Sequence, residues 1–392
     1  ARALSYKDKV MKFSMDKKGE AGPGGYPLYI ALHGGGGAPA SLNDSQWNHM
    51  KIYYKDSVDQ GVYVAPRGVT NTWNLHFVDE SYPLYERLIE NMVLFEGVDP
   101  NKVYFLGFSA GGDGVYQVVP RMPDRFAAAN MSAGHHNWIG FDNLYNTPFL
   151  IQVGEMDSAY NRNRVGAENY LALNALQEKY SGGFIHDLFL HVGGSHNSWR
   201  DNDSSRRLNP VIANPKAWLD SNIRDSKNVN SNAIDWMNQY TRNPTPSKLV
   251  WDLKVGATRT EGAGGALLKA EGGTAERLAL PHQLFYWLDV SVASAFPDQG
   301  KLVAQTDKNL NAVRVLEVTN VEKFRVLLNT NMLDLTKPIN IQVGEQHLAP
   351  VMAKANLQTM TRTLLERSDK NFIFDAELTL NYNKTNNAWE VL

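Results

Sequence analysis

One serine stands between two glycines in the run Gly107-Phe108-Ser109-Ala110-Gly111. A serine hydroxyl is a weak nucleophile at neutral pH, and it becomes reactive when a histidine takes its proton and a carboxylate holds that histidine. Two further residues of these types follow in glycine-containing turns, Asp157 and His196. We therefore predict that Ser109 is a nucleophile, His196 its base and Asp157 the acid, in an acyl transfer to serine and then to water.

The segment around Ser109 has the pattern of a strand, a sharp turn and a helix. The apolar run Val103-Tyr104-Phe105-Leu106 precedes the turn, and a helix-like segment from Val115 to Met122 follows it. A turn this sharp crowds its neighbours, so only residues without a Cβ fit on both sides of the serine. An isolated match is common in a chain with 31 glycines, but the flanking strand and helix favour a nucleophile elbow.

A second glycine run, His33-Gly34-Gly35-Gly36-Gly37, follows an apolar strand from Tyr26 to Leu32. We predict that it is an oxyanion loop, in which the backbone N–H of Gly35 or Gly36 acts together with that of Ala110. The alternatives are a phosphate-binding loop and a linker. A phosphate loop would end in Gly-Lys-Ser/Thr, and a linker would not directly follow a buried strand.

The acid is expected after a buried strand from Thr147 to Val153. We choose Asp157 over Glu155, which we expect to point to solvent. The alternative role for Asp157 is to cap the helix that follows, from Arg164 to Tyr180. The order oxyanion loop, serine, acid and histidine along the chain is that of elbow enzymes.

The base follows the last predicted parallel strand, from Asp187 to Val192. His196 lies in the flexible glycine loop beyond this strand. His191 alternates with apolar neighbours inside the strand, so we interpret it as a packed structural imidazole.

Four spans, 26–37, 103–115, 147–157 and 187–197, together resemble the α/β-hydrolase superfamily, and more narrowly the esterase group that includes polyhydroxybutyrate depolymerases and feruloyl and acetylxylan esterases. The resemblance covers about residues 20–245. It implies a doubly wound, mostly parallel sheet of α/β-hydrolase type, the three catalytic roles given above, and a secreted or periplasmic location. Many secreted members carry disulfides, whereas this chain has no cysteine.

The resemblance also implies a substrate, an ester of a small molecule or of a polymer, of carbohydrate-linked or polyester type. The predicted substrate-binding residues are Trp73, Phe108 and His135. Two alternatives stay open: a serine peptidase of the same superfamily, because triad chemistry does not separate an ester from an amide, and a non-catalytic carbohydrate- or surface-binding protein.

Charge and composition narrow the range of partners. The chain has 39 basic and 41 acidic side chains, a net charge of −2 and 43% hydrophobic residues, which indicates no bias toward nucleic acid or anionic membranes. We predict no membrane span. The chain has no cysteine and no His-Glu-x-x-His motif, so we predict that it binds no metal and no cofactor.

A helix-stopping run from Thr241 to Pro246 indicates a domain boundary. We predict a catalytic domain over residues 1–245 and a smaller all-β, sandwich-like accessory domain over 246–392, with one late helix from Val351 to Glu366. Tyr286 and Trp287 are interpreted as core residues. Residues 197–232 form a polar insert, which is either a rim or lid over the pocket or a surface loop.

Overall fold

The computed structural model describes residues 2–136, 139–203, 205–208, 226–229, 232–256, 283–295, 297 and 299–392. Among the described residues, the chain divides into two compact units, of which the first ends at Arg242 and the second begins at Asn243. Most of the insert predicted over residues 197–232, including Trp218, lies outside the described residues.

The first unit is built on one ten-stranded sheet with the order β1-β2-β4-β3-β5-β6-β7-β8-β9-β10. The strands are β1 Arg2–Tyr6, β2 Lys9–Lys18, β3 Tyr26–Leu32, β4 Gly61–Pro66, β5 Val98–Phe108, β6 Ala128–Ser132, β7 Phe149–Gly154, β8 His186–His191, β9 Ser205–Leu208 and β10 Ser226–Val229. The helices are α1 Ala40–Tyr53, α2 Ser81–Glu96, α3 Ala110–Val118, α4 Arg162–Lys179 and α5 Ala233–Met237.

The six central strands, from β4 to β8 in sheet order, are parallel. Every residue of β4, β6 and β7 is buried, as expected for parallel strands that are covered on both faces. On one face Ala31, Leu106 and Leu150 share a core cluster with residues of α1 and α5. On the other face Tyr85 of α2 contacts Phe105.

The prediction of a mostly parallel sheet did not specify the edge strands, and these are antiparallel. The hairpin β1–β2 pairs antiparallel with β4, and β9 and β10 extend the sheet antiparallel beyond β8. The described sheet is therefore mixed, with a parallel centre and antiparallel edges. The first helix after the elbow also begins earlier than predicted, at Ala110 instead of Val115.

The second unit contains two five-stranded sheets. One has the order β11-β14-β15-β17-β18 and the other β12-β13-β16-β19-β20. These strands are β11 Lys248–Asp252, β12 Leu284–Phe285, β13 Leu288–Asp289, β14 Lys301–Asp307, β15 Ala312–Thr319, β16 Lys323–Leu328, β17 Ile339–Val343, β18 Gln346–Val351, β19 Ala376–Asn383 and β20 Ala388–Val391. Trp251 of the first sheet and Phe324 of the second belong to one buried cluster, so the two sheets share a core.

The second unit has a buried aromatic pair and one late helix. Tyr286 and Trp287 are buried, which confirms their interpretation as core residues. The late helix, α6, spans Leu357–Arg367 instead of beginning at Val351, which ends β18. The helix begins there because the Asn356 side chain accepts a hydrogen bond from the Thr359 N–H and caps its first turn. No helix among the described residues is long and apolar enough to span a membrane.

Candidate active site

Ser109 lies at the turn between β5 and α3 with φ 58° and ψ −121°, a conformation that L residues rarely adopt. The turn is tight because backbone meets backbone on both of its sides. A Cβ added to Gly111 would lie 2.1 Å from the Leu32 carbonyl oxygen, and one added to Gly107 would lie 2.4 Å from the Gly111 oxygen. Both glycines are therefore sterically required.

The structure brings Ser109, His196 and Asp157 into one chain of hydrogen bonds. His196 Nε2 lies 2.9 Å from Ser109 Oγ, and His196 Nδ1 lies 2.7 Å from Asp157 Oδ2. The buried Asp157 carboxylate can only accept a hydrogen bond, so Nδ1 carries the proton of the neutral imidazole and donates it to Oδ2. Nε2 is then free to accept a hydrogen bond from the serine hydroxyl. The geometry suits proton transfer from Ser109 to His196.

Hydrogen bonds join the turn that carries Asp157 to the loop that carries His196. Glu155 N–H donates to the His191 carbonyl, Met156 N–H donates to the Gly194 carbonyl, and Gly193 N–H donates to Glu155 Oε2 at 2.7 Å. The Glu155 carboxylate is thus engaged by the histidine loop instead of pointing freely to solvent. The residue at the N-cap position of α4 is Asn161, not Asp157.

The glycine loop after β3 approaches Ser109 closely. A Cβ on Gly34 would lie 3.2 Å from Ser109 Cβ, and Gly35 and Gly36 have φ values of 103° and 81°. The Gly36 N–H donates to Asn43 Oδ1 at 2.8 Å. The Gly36 N–H is therefore already engaged, which favours Gly35 of the two predicted loop donors.

The other two predicted oxyanion donors are the N–H groups of Ala110 and Gly35. Ala110 is the first residue of α3, where backbone N–H groups have no partner within the helix. The positive end of the helix dipole favours negative charge at this position. Gly35 precedes the engaged Gly36 in the loop that abuts Ser109.

Two buried histidines hold the glycine loop. His33 Nε2 accepts from the Gly68 N–H at 3.0 Å, so Nδ1 carries the proton and donates to the Gly34 carbonyl at 2.6 Å. His76 Nε2 lies 2.8 Å from the His33 carbonyl and donates to it. Burial lowers the pKa of His33 to about 4 and lowers the pKa of His76 well below its usual range. Both imidazoles are therefore neutral near pH 7.

A pocket of about 300 Å³ opens beside the elbow. Its lining combines the glycine loop, one face of α1 and the histidine loop, at Gly34, Gln46, His49, Met50, Tyr53, Phe108, Asn197, Trp199 and Arg200. Of the three predicted substrate-binding residues, only Phe108 lines this pocket. Trp73 packs against Gly37 and Tyr160, and the His135 N–H donates to Asp113 Oδ1.

The loop with His196 is anchored beneath the site by buried polar contacts. Asp201 Oδ1 accepts from Gln152 Nε2 at 2.8 Å and from the Ala233 N–H at 3.0 Å, and Trp199 stacks on His191 with ring centroids 3.9 Å apart. Burial raises the pKa of Asp201 to about 6. His191 is buried, in agreement with its interpretation as a structural imidazole.

Asn43 and the pocket face of α1 were not predicted from the sequence. Asn43, Gln46, Met50 and Tyr53 recur at spacings of three and four residues, so the helical period could have grouped them on one face. The period alone does not show that this face meets a glycine loop. His76 carried no recognisable signal.

No protein-family model and no curated protein matches the chain. Solved structures to which it is similar include a thermostable esterase, at 20% identity and a TM-score of 0.40, over 62% of this chain and 63% of that one. A feruloyl esterase module from Clostridium thermocellum is 14% identical, with a TM-score of 0.34, over 50% of this chain and 80% of that one.

A protein described as a dipeptidyl aminopeptidase IV from Bacteroides ovatus is 15% identical, with a TM-score of 0.37, and the match covers 51% of this chain and 33% of that one. The chain thus spans less than two thirds of the length of the thermostable esterase that it matches. Several of these structural neighbours are esterases.

The elbow glycines generate a first prediction. Gly111→Ala should abolish activity and lower the free energy of unfolding, because its Cβ would meet a backbone oxygen that cannot move aside. The matched control is Gly22→Ala, whose Cβ would meet its nearest atom at 3.8 Å. Urea unfolding and hydrolysis of para-nitrophenyl acetate measure both effects. An active, stable Gly111→Ala protein would contradict the assignment of this close approach.

The buried imidazole of His33 generates a second prediction. The unfolded state protonates this histidine near pH 6.5 and the folded state only near pH 4, so the unfolded state binds more protons between these values. The stabilisation is complete above pH 6.5 and is lost as the pH falls to 4, by about 3 kcal/mol.

The measurement is urea unfolding at pH 7.5 and pH 4.5. The His33→Gln protein should be less stable at pH 7.5, and its stability should depend less on pH than that of the wild type. His49→Gln, at an exposed histidine, should keep the wild-type dependence. Equal pH dependence in the wild type and His33→Gln would show that His33 is not a buried neutral group.

Proposed function

We propose that the protein is a serine hydrolase of α/β-hydrolase type that cleaves carboxylic esters. The observation that carries the proposal is the unbroken chain of hydrogen bonds from Ser109 Oγ through His196 to the buried carboxylate of Asp157. It lies at the carboxyl edge of a parallel sheet, where such sheets place their ligands. The esterases among the structural neighbours are in line with hydrolysis of esters.

The arrangement supports a two-step reaction. Ser109 Oγ attacks the ester carbonyl while His196 Nε2 takes the hydroxyl proton, and Asp157 stabilises the imidazolium that forms. The carbonyl oxygen becomes an oxyanion beside the N–H groups of Ala110 and Gly35. His196 then protonates the departing alcohol. Water, activated in turn by His196, releases the acyl group from Ser109.

The pocket supports an ester of which one part is small and has both apolar and polar groups. A volume of about 300 Å³ is at the lower end of the range for small-molecule sites. Its lining combines aromatic and aliphatic side chains, Tyr53, Phe108, Trp199 and Met50, with polar groups from Gln46 and others. We propose a carbohydrate-linked or polyester-type substrate, as the resemblance implies.

We consider two other functions. The same triad would cleave an amide, and one neighbour is described as a dipeptidyl aminopeptidase, so a peptidase is the second enzymatic candidate. A binding protein without catalysis would not need Ser109 in a strained backbone conformation beside a hydrogen-bonded imidazole. Hydrolysis rates on feruloyl esters, para-nitrophenyl esters of increasing chain length and an aminoacyl anilide distinguish the three.

The decisive variant is Ser109→Ala. We expect it to lose on the order of 10⁴-fold in turnover of para-nitrophenyl acetate and to keep its fold, since only a hydroxyl is removed. Retention of more than about a tenth of wild-type turnover would refute the nucleophile assignment.

A matched pair tests the acid in the same assay. Asp157→Asn should reduce turnover strongly, whereas Glu155→Gln should not, because an amide oxygen can still accept from the Gly193 N–H. The reverse pattern would assign the acid to Glu155.

We also propose that residues 1–245 form the catalytic domain and residues 246–392 an all-β accessory domain. All proposed catalytic residues precede Asn243, where the second unit begins. The last helix of the first unit, α5, is buried in the core of that unit, and Trp236 Nε1 donates to Asp187 Oδ2 at 2.8 Å.

A fragment of residues 1–245 should therefore hydrolyse para-nitrophenyl acetate at a rate within about tenfold of the full chain. Circular dichroism and gel filtration establish whether the fragment is folded and soluble. A folded, soluble fragment without this activity would show that residues beyond 245 complete the active site.

A further inference from the structure

Asp157 has a second carboxylate oxygen that the triad does not use. Oδ2 binds His196, whereas Oδ1 is buried and, within the described part of the chain, accepts no hydrogen bond. The nearest cation is Arg162, whose Nη1 lies 3.9 Å from Oδ1. The side chains of Asp157 and Arg162 are only 1% and 7% exposed, so solvent screens their attraction weakly.

Arg162 occupies an unfavourable position for a cation. It is the first residue of α4, where the helix dipole favours negative charge. The two residues before it, Tyr160 and Asn161, both have left-handed backbones, with φ 55° and 56°. This conformation is strained for a tyrosine. The local structure therefore carries two costs at the residue that places a guanidinium behind Asp157.

Tyr160 covers the guanidinium on another side. The Arg162 Cζ lies 4.8 Å from the centroid of the Tyr160 ring, a cation–π contact. The Tyr160 ring also meets Trp73 edge-on at 5.8 Å, and Trp73 packs against Gly37 of the glycine loop. Arg162 Nη1 additionally donates to the Ala159 carbonyl at 3.3 Å. These contacts fix the guanidinium in place.

We propose that Arg162 is a positioning residue for the reaction, which acts through Asp157 and rests on the proposed triad. Its charge holds Oδ1, so that Oδ2 stays directed at His196. The same charge partly offsets that of the carboxylate that faces His196. Tyr160 keeps the guanidinium in this position.

Arg162 is the arginine or lysine within ion-pair distance of Asp157 among the described residues. Among the described residues, the charged or titratable side chains within ion-pair distance of Asp157 are those of Arg162 and His196. Other titratable side chains on neighbouring elements have other contacts. Glu155 accepts from the Gly193 N–H and Asp113 accepts from the His135 N–H. His191 and Asp201 each contact the Gln152 side chain, and His49 and Arg200 line the pocket.

The test compares Arg162→Met, which removes the charge, with Arg162→Lys, which keeps it, in the full-length protein. The matched control is Arg164→Met, at an exposed arginine on the same helical turn. The readouts are kcat, KM and the pH profile of kcat/KM for para-nitrophenyl acetate.

Arg162→Met should lower kcat at least about tenfold, a part of what a positioned base contributes, and leave KM nearly unchanged, because Arg162 does not line the pocket. The acid limb of its profile should move to higher pH, because the Asp157 charge that faces His196 is then less offset. Arg162→Lys should recover most of kcat and the position of that limb, and Arg164→Met should match the wild type.

An unchanged kcat and acid limb in folded Arg162→Met would overturn the inference, as would equal losses in the Met and Lys variants. If Arg162→Met does not fold, Tyr160→Ala and Tyr160→Phe replace it, because Tyr160 is 61% exposed. The Ala variant should then shift the acid limb in the same direction and the Phe variant should not; no shift in either would overturn the inference.

The Ser109→Ala protein separates this inference from the proposed function. An active Ser109→Ala protein refutes the triad and the role of Arg162 with it. An inactive Ser109→Ala protein beside a fully active Arg162→Met protein refutes only the role of Arg162.

Discussion

The close approach of backbones around Ser109 is the constraint on which the site depends. A Cβ on Gly111 would meet the end of β3, and a Cβ on Gly112 would lie 2.6 Å from the Ser132 carbonyl oxygen at the end of β6. Three neighbouring strands therefore end against one helix start. This contact exposes the Ser109 hydroxyl and directs the first N–H groups of α3 toward the same region. The positions of the proposed nucleophile and of the proposed oxyanion donor in α3 thus follow from backbone packing, which does not depend on side-chain rotamers.

The proposed base, His196, follows a strand that lies farther from Ser109 in the sheet. In sheet order, β8 lies three strands from β5, which is about 14 Å at the usual strand spacing. The loop after β8 must return over β7 and β6 to bring His196 to Ser109. Its return is fixed at Trp199 and Asp201, which contact β8 and β7 through His191 and Gln152. The buried polar groups beneath the site therefore supply the rigidity that a glycine-containing loop lacks.

The features that the sequence predicted are those with local signals. Gly107 and Gly111 mark the elbow through a steric requirement that neighbours in sequence impose, and buried parallel strands are recognisable as apolar runs. The antiparallel edge strands were not predicted, because residues 2–18 alternate weakly and their pairing with β4 is a tertiary contact. The hydrogen bond from Gly36 to Asn43 and the ion pair of Asp157 with Arg162 also depend on loop conformation, which propensity does not specify.

Helix α1 couples the substrate pocket to the oxyanion loop. Its Asn43 side chain accepts from the Gly36 N–H, while Gln46 and Met50, one and two turns further on, line the pocket. A run of four glycines is flexible by itself, yet donors stabilise an oxyanion only when they are held in place before the reaction. The bond from Asn43, together with those of His33, holds the loop. A change on the pocket face that displaces α1 would therefore also displace the loop. Under the proposed mechanism, substrate fit and transition-state stabilisation are thus linked through this helix.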